Sequence, residues 1–143
     1  MSHKYFTIGE MLSSNTALAN SINNCKTTQE IENNLDALIT DVLDPAREKF
    51  GKPIIVTSGY RSEELNAAVG GKNNSQHRKG EAADLRVASG GEKELKRLFK
   101  IISEMPSFDQ LLYEHNKKGE FWIHVSYKAK GGNRKYINDN YKA

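Results

Sequence analysis

The stretch SQHRKGEAADLRV, residues 75–87, changes character at its middle. Its first half has the composition of a loop, while the residues from Glu81 onward alternate between two faces, as the side chains of a β-strand do. One face carries Ala83, Leu85 and Val87, and the other carries Ala82, Asp84 and Arg86. His77 therefore lies in a loop before a strand that contains Asp84. The H-x6-D spacing does not by itself distinguish a metal site from two solvated polar side chains.

The neighbouring segments predict more strands and several helices. Apolar residues at helical spacing predict a helix over 27–50, with a capping box at Thr27 and Glu30 and a kink or break near Asp44 because of Pro45. The pattern predicts further strands over 53–60, 108–114 and 120–127, and further helices over 62–71 and 90–105. We expect an α+β fold in which helices pack against a small, largely antiparallel sheet.

The length of 143 residues suits one domain over 1–143. We expect an N-terminal arm over 1–26, surface-packed or forming short helices, and a basic tail over 128–143 that has no clear pattern. The N-terminus lacks the apolar segment and cleavage site of a secretory signal, so we expect synthesis in the cytoplasm. No apolar run is long enough to span a membrane.

Cysteine usage limits the kinds of metal site. Cys25 is the only cysteine, so an internal disulfide and a cysteine-rich zinc site are both excluded. Any metal must be held by histidine and carboxylate side chains.

Positive charge is concentrated in 93–100 and 128–135, although the net charge is only +3. A solvated face explains these clusters, and attraction to a polyanion such as a cell wall or nucleic acid is the alternative. No nucleic-acid-binding motif accompanies them, so we expect no nucleic-acid partner. The sequence does not give the oligomeric state, and we take a monomer as the default.

The predicted strand FWIHVSY, residues 121–127, supplies a second histidine. Trp122, His124 and Ser126 share one of its faces. A lone histidine on a strand is usually a hydrogen-bonded structural residue. Together with His77 and Asp84, however, His124 would complete the three ligands of a catalytic zinc site, which leaves a fourth position for water.

The segments TSGYRS (57–62), SQHRKGEAADLRV (75–87) and WIHVSY (122–127) resemble the zinc D-Ala-D-Ala carboxypeptidase family, whose superfamily includes the hedgehog signalling domain. More narrowly, they resemble its single-domain branch from phages and prophages. The resemblance covers most of the chain. It implies a hedgehog/DD-peptidase-like fold and one Zn²⁺ per chain, bound by His77, Asp84 and His124.

The same resemblance implies roles for residues around the metal. Arg61 would face the cleft, where its planar guanidinium pairs with a substrate carboxylate or polarises the scissile carbonyl. Ser75 and Gln76 would hydrogen-bond the substrate or shape the loop. Asn66 is expected to tie loops together.

Hydrolysis by a metal-activated water requires a carboxylate that takes up the proton. Glu114 and Glu120 are the two candidates, and we favour Glu114 because the resemblance implies a glutamate after the DQL segment, 109–111. Several relatives carry a histidine two residues before the last ligand, where this chain has Trp122. Trp122 would line the substrate pocket, and His115 is an alternative replacement for the missing histidine.

Taken together with these residues, the resemblance implies a zinc metallopeptidase that cuts an amide bond in a stem or cross-bridge peptide of peptidoglycan. Because we expect synthesis in the cytoplasm, action on the cell wall would follow release by another route. The sequence leaves carboxypeptidase and endopeptidase activity open, as it does phage lysis and wall recycling. Two other classes are a zinc-containing binding domain without catalysis on the same fold, and a basic nucleic-acid-associated protein. The first gains if neither glutamate reaches the metal, and the second predicts salt-dependent DNA binding.

Overall fold

The predicted N-terminal arm forms short helices in the computed structural model, which describes residues 4–139. The ends of the arm and of the tail, 1–3 and 140–143, lie outside the described residues. Helix α1 (Ile8–Leu12) is capped by Thr7, and α2 (Asn15–Ala19) follows it. Phe6 and Met11 are buried. The arm therefore contributes to the hydrophobic core.

The predicted long helix is divided near Pro45. Helix α3 (Gln29–Leu38) continues into a π-helical segment (Ile39–Leu43), and α4 (Asp44–Phe50) completes it. Proline has no backbone N–H to donate to the preceding turn, so the helical ladder changes register immediately before it. Near Asp44, where a kink or break is expected, the helix changes from π-helical to α-helical geometry, and the backbone stays helical through Leu43 and Asp44.

The start of this helix differs from the prediction by one residue. Thr28 is the N-cap, because its side chain accepts a hydrogen bond from the backbone N–H of Ile31. The predicted capping box at Thr27 and Glu30 is wrong. The Thr27 hydroxyl instead donates to Glu32 over 2.7 Å.

The strands form one five-stranded sheet in the order β1-β2-β4-β3-β5. Its strands are β1 (Ile54–Ser58), β2 (Ala82–Val87), β3 (Gln110–His115), β4 (Phe121–Ser126) and β5 (Tyr136–Asp139). The pairings are antiparallel except that of β3 with β5. The α+β fold class and the largely antiparallel sheet are confirmed.

The remaining helices lie in the connections between the strands. Helix α5 (Glu63–Ala68) and a 3-10 helix (Gln76–Lys79) connect β1 to β2, and α6 (Gly91–Ser103) connects β2 to β3. Within 4–139, no helix has both the length and the apolar character that a membrane span requires.

The two faces of the sheet have different surroundings. One face joins the apolar sides of α3, the π-helical segment, α4 and α6 in the hydrophobic core. Its core residues include Leu85 of β2, Tyr113 of β3 and Ile123 of β4. Because side chains alternate along a strand, Asp84, Glu114 and His124 lie on the opposite face.

The C-terminal segment has structure where the sequence shows no pattern. Strand β5 pairs with β3 in parallel, with Leu111 opposite Ile137. Tyr136 donates its backbone N–H to the Asp109 carbonyl over 3.0 Å. The described part of the predicted basic tail is therefore attached to the sheet.

Candidate metal centre and cleft

Strand register brings Asp84 and His124 side by side. The two residues are direct partners in the antiparallel β2–β4 ladder. Ser58 of β1 pairs with Asp84 on one side, and Leu112 of β3 pairs with His124 on the other. Cross-strand neighbours have Cβ atoms about 5 Å apart, so their side chains meet on one face of the sheet.

His77 reaches the same place from the 3-10 helix and is buried. Its Nδ1 lies 2.7 Å from the carbonyl oxygen of Gly59. Since a carbonyl only accepts, Nδ1 must carry the proton. The neutral ring then has its free lone pair on Nε2, which lies 3.4 Å from Asp84 Oδ1. The Gly59 carbonyl thus sets both the tautomer and the orientation of His77, as partners of metal-binding histidines commonly do.

Position 59 requires a glycine because the backbone of Met11 in α1 approaches it closely. A Cβ atom at this position would lie 2.5 Å from the carbonyl oxygen of Met11. The end of β1 therefore packs directly on α1. A larger residue would displace the carbonyl that orients His77.

Three potential ligand atoms converge at this point. His124 Nδ1 lies 3.0 Å from Asp84 Oδ1, and the ligating atoms of His77, Asp84 and His124 all lie within 4.8 Å of one another. Ligand atoms about 2.0–2.1 Å from a tetrahedral Zn²⁺ are roughly 3.3 Å apart. Two imidazoles and one carboxylate also have the chemistry that zinc prefers. The residues fit a zinc ion with one position left for water or substrate.

The Asp84 carboxyl is held in its charged form. Burial alone would raise its pKa, but hydrogen bonds with His124 and His77, and the charge of these rings when they are protonated, outweigh burial and lower the pKa well below its ordinary value. An ionised carboxylate is the form that binds a cation. The side chain is therefore ready for a metal at neutral pH.

Arg61 lies beside this cluster with its side chain mostly buried. Its Nη2 lies 3.4 Å from Asp84 Oδ2, and its Nε donates to the Ser58 hydroxyl over 3.0 Å. Burial lowers the pKa of Arg61, while attraction to Asp84 and Glu114 opposes that shift. Arg61 lines the cleft, and a guanidinium is basic enough to keep its charge at neutral pH despite this burial.

Glu114 and Trp122 face the cleft from the β3–β4 hairpin. They are direct cross-strand partners, and the Trp122 indole N–H donates to Glu114 Oε1 over 3.0 Å. Both line the same cleft as the three potential ligands. A carboxylate and an aromatic side chain thus line the cleft next to the three potential ligands.

Glu120 and His115 are not brought to the cluster. Glu120 is exposed and accepts hydrogen bonds from Asn116 over 2.9 Å and Arg86 over 3.4 Å. The hydrogen bond from Asn116, followed by that from Arg86, lowers the pKa of Glu120. His115 ends β3 and is exposed, and strand alternation directs it to the face opposite Glu114. Neither residue lines the cleft.

The loop residues predicted around His77 mainly hold the loop. The Ser75 hydroxyl accepts the backbone N–H of His77 over 3.2 Å, which caps the 3-10 helix. Gln76 donates its side-chain amide to Asp109 over 3.1 Å. Asn66, which is expected to tie loops together, donates to the Lys72 carbonyl over 2.8 Å and so joins α5 to the loop that follows it. Ser75 and Gln76 also line the cleft.

The cleft around these residues has a volume of about 700 Å³, a size typical of sites that bind small molecules or short peptides. Two contacts that shape the site were missing from the sequence-based prediction: the Gly59 carbonyl bonded to His77 and the Asp109–Arg134 pair. A backbone carbonyl has no residue-type signal. Arg134 reaches Asp109 across 25 positions of sequence, so no local pattern could indicate that pair.

Comparison with known proteins agrees with this geometry. The model of the family described as Peptidase M15 matches residues 4–126, which is most of the chain. A protein named zinc D-Ala-D-Ala carboxypeptidase, from Streptomyces albus G, is 52% identical over 50 residues. That match covers 34% of this chain and 20% of the relative, so the chain corresponds to only a small part of that protein. On the extent of the family match, the chain belongs to the peptidase M15 family.

Proposed function

We propose that this protein is a zinc peptidase that hydrolyses an amide bond in the stem or cross-bridge peptides of peptidoglycan. The observation that carries the proposal is the convergence of His77, Asp84 and His124, whose ligating atoms lie within 4.8 Å of one another in a cleft that Glu114 and Arg61 also line. Membership of the peptidase M15 family and the name of the Streptomyces relative support the same reaction.

The three clustered residues would hold one Zn²⁺. His77 offers Nε2 because the Gly59 carbonyl occupies its Nδ1, His124 offers Nδ1, and Asp84 offers Oδ1. Bound zinc supplies Lewis acidity, which polarises a carbonyl and makes water more acidic.

Glu114 is the proposed general base. It takes a proton from the attacking water while the water oxygen bonds to the scissile carbonyl carbon. As the C–N bond breaks, Glu114 returns the proton to the departing amine, leaving a carboxylate and a free amine. The Trp122 indole keeps one Glu114 oxygen in a fixed position, and the other oxygen is left for the water.

Arg61 and Trp122 are the proposed substrate contacts. Arg61 is held by Ser58 and Asp84, so its guanidinium is preorganised to bind a substrate carboxylate or to polarise the scissile carbonyl. Trp122 offers an apolar surface in the same cleft. Ser75 and Gln76 form the wall next to His77.

Digestion of purified peptidoglycan by zinc-loaded protein, followed by mass analysis of the fragments, tests the proposal. The expected result is a defined cleavage that Glu114→Gln abolishes while it retains zinc. Release of a terminal amino acid would identify a carboxypeptidase, and opened cross-links would identify an endopeptidase. If zinc-loaded protein cuts none of several wall chemistries, the site belongs to a non-catalytic zinc-binding domain instead.

A further inference from the structure

The segment after β4 forms part of the cleft wall, although the family match ends at residue 126. Lys128 and Arg134 both line the cleft. Asp109 fastens this segment: it accepts hydrogen bonds from Arg134 Nε and Nη2, each over 2.9 Å, and from the Arg134 backbone N–H over 3.2 Å. This wall is therefore a feature of this chain beyond the family's matched region.

Asp109 also connects the wall to the metal centre. Its carboxylate is fully buried and accepts the Gln76 amide over 3.1 Å. Gln76 is the residue before the potential ligand His77. A single buried carboxylate thus joins the C-terminal segment to the loop that carries a metal ligand.

Two hydrogen bonds with the side chain of Asn133 fix the backbone of Lys128. Asn133 accepts the Lys128 backbone N–H over 2.8 Å and donates to the Lys128 carbonyl over 3.0 Å. Both bonds are to the main chain, so they do not depend on the lysine side chain. The side chain of Lys128 therefore extends from a fixed point of the backbone on the cleft wall.

The charge of Lys128 is incompletely balanced. Its Nζ lies 3.9 Å from Asp109 Oδ1, beyond hydrogen-bond distance, whereas Arg134 occupies both oxygens of that carboxylate. The single negative charge of Asp109 is thus shared between Arg134 and Lys128. The Lys128 side chain is 37% exposed, so its ammonium can reach a ligand in the cleft.

The cleft as a whole favours an anionic ligand. Its lining side chains include five cations, Arg61, Lys72, Lys79, Lys128 and Arg134, and four carboxylates, Glu81, Asp84, Asp109 and Glu114. A divalent metal ion would add two further positive charges. A concave site of this net charge concentrates negatively charged substrates.

We propose that Lys128 is a specificity residue that binds a carboxylate carried by the peptide substrate at a distance from the scissile amide. The inference rests on the proposed function, because it assumes that a peptide occupies this cleft. Lys128 lies four positions after His124 and two positions after the end of β4 at Ser126, so the two residues are separated by at most about 13 Å of chain. An extended peptide covers that distance in about four residues.

Equilibrium binding of two stem peptides tests the inference. The peptides are identical except that one internal carboxylate is replaced by a carboxamide, and binding is measured by calorimetry. We expect the native chain to bind the acid about tenfold more tightly than the amide. Lys128→Gln should remove this difference and leave amide binding unchanged, whereas Lys128→Arg should retain it.

Lys117→Gln is the matched control, because Lys117 is exposed in the β3–β4 turn and does not line the cleft. It should keep the preference for the acid. Equal binding of acid and amide by the native chain, or an unchanged preference in Lys128→Gln, would overturn the inference, as would failure of both peptides to bind. Peptidoglycan hydrolysis is scored separately: a Lys128-dependent preference without cleavage rejects the peptidase, and cleavage without a preference rejects only the carboxylate subsite.

Discussion

Trp122 donates its indole N–H to the carboxylate of Glu114 over 3.0 Å, directly across the β3–β4 ladder. Trp122 lies two residues before His124, the last of the three potential ligands. In this chain that position holds a carboxylate in place. The proposed general base therefore depends on its cross-strand partner.

Replacing Trp122 with phenylalanine should lower kcat for peptide hydrolysis about tenfold, because a hydrogen bond to a charged group is lost while the aromatic ring remains. Zinc content should not change, since Trp122 is not one of the three clustered residues. Steady-state kinetics and metal analysis of the same sample check both points. An unaltered kcat would show that Glu114 does not need this bond.

Replacing each of the two candidate glutamates with glutamine should affect activity to very different extents. Glu114→Gln removes the proton acceptor and should reduce activity by about 100-fold or more. Glu120→Gln changes a residue bonded to Asn116 and Arg86, and should leave activity within about twofold because Glu120 does not line the cleft. Rates measured on one defined peptide decide between them, and the reverse order would assign the proton transfer to Glu120.

Adding a methyl group at Gly59 should weaken metal binding. In Gly59→Ala the new Cβ would meet the Met11 carbonyl at 2.5 Å, and the shift needed would displace the carbonyl that orients His77. Loss of such an orienting partner typically costs 10-fold or more in metal affinity. Competition with a zinc chelator measures the zinc affinity of the variant and of the native chain. Gly9→Ala, where a Cβ has an ordinary contact of 3.7 Å, is the control and should bind zinc normally.

Acid should weaken the attachment of the C-terminal segment through Asp109. Hydrogen bonds from Arg134 lower the pKa of Asp109, although burial opposes them. The carboxyl therefore binds fewer protons when folded, so its stabilising contribution is complete above the unfolded pKa of about 3.9 and is lost as pH falls through the lower folded value.

Urea unfolding of Asp109→Asn and the native chain at pH 7 and pH 3 checks this dependence. The variant should be less stable at pH 7, and the difference in the free energy of unfolding should shrink at pH 3. Glu104→Gln, at an exposed position, should be near neutral at both pH values. A difference that stays constant with pH would contradict the role given to the Asp109 charge.

The sheet and the faces of its central strands could be predicted because alternation is a local property. Asp84 and His124 stand on the polar faces of two recognisable strands. That they are direct partners depends on the β2–β4 register, which alternation alone does not determine. An irregularity near Pro45 was predictable because it follows from the chemistry of one residue, although the structure accommodates the proline by a change of helix type.

The C-terminal wall could not be predicted because it depends on contacts between residues that are far apart in sequence. Strand β5 has four residues, too few for a periodic pattern, and it pairs in parallel with a strand far away in sequence. The Arg134–Asp109 bonds and the Gly59 carbonyl are likewise long-range contacts. Local sequence also failed to distinguish Thr27 from Thr28 as the cap of α3, since adjacent threonines have the same capping ability.

Zinc content, measured by mass spectrometry of the purified protein, tests the central claim most directly. We predict about one zinc per chain, retained in His115→Ala and lost in His77→Ala, Asp84→Asn and His124→Ala, with circular dichroism used to confirm that each variant is folded. Zinc that persists at native stoichiometry after the changes at His77 and Asp84 would contradict the assignment of this cluster as the metal centre.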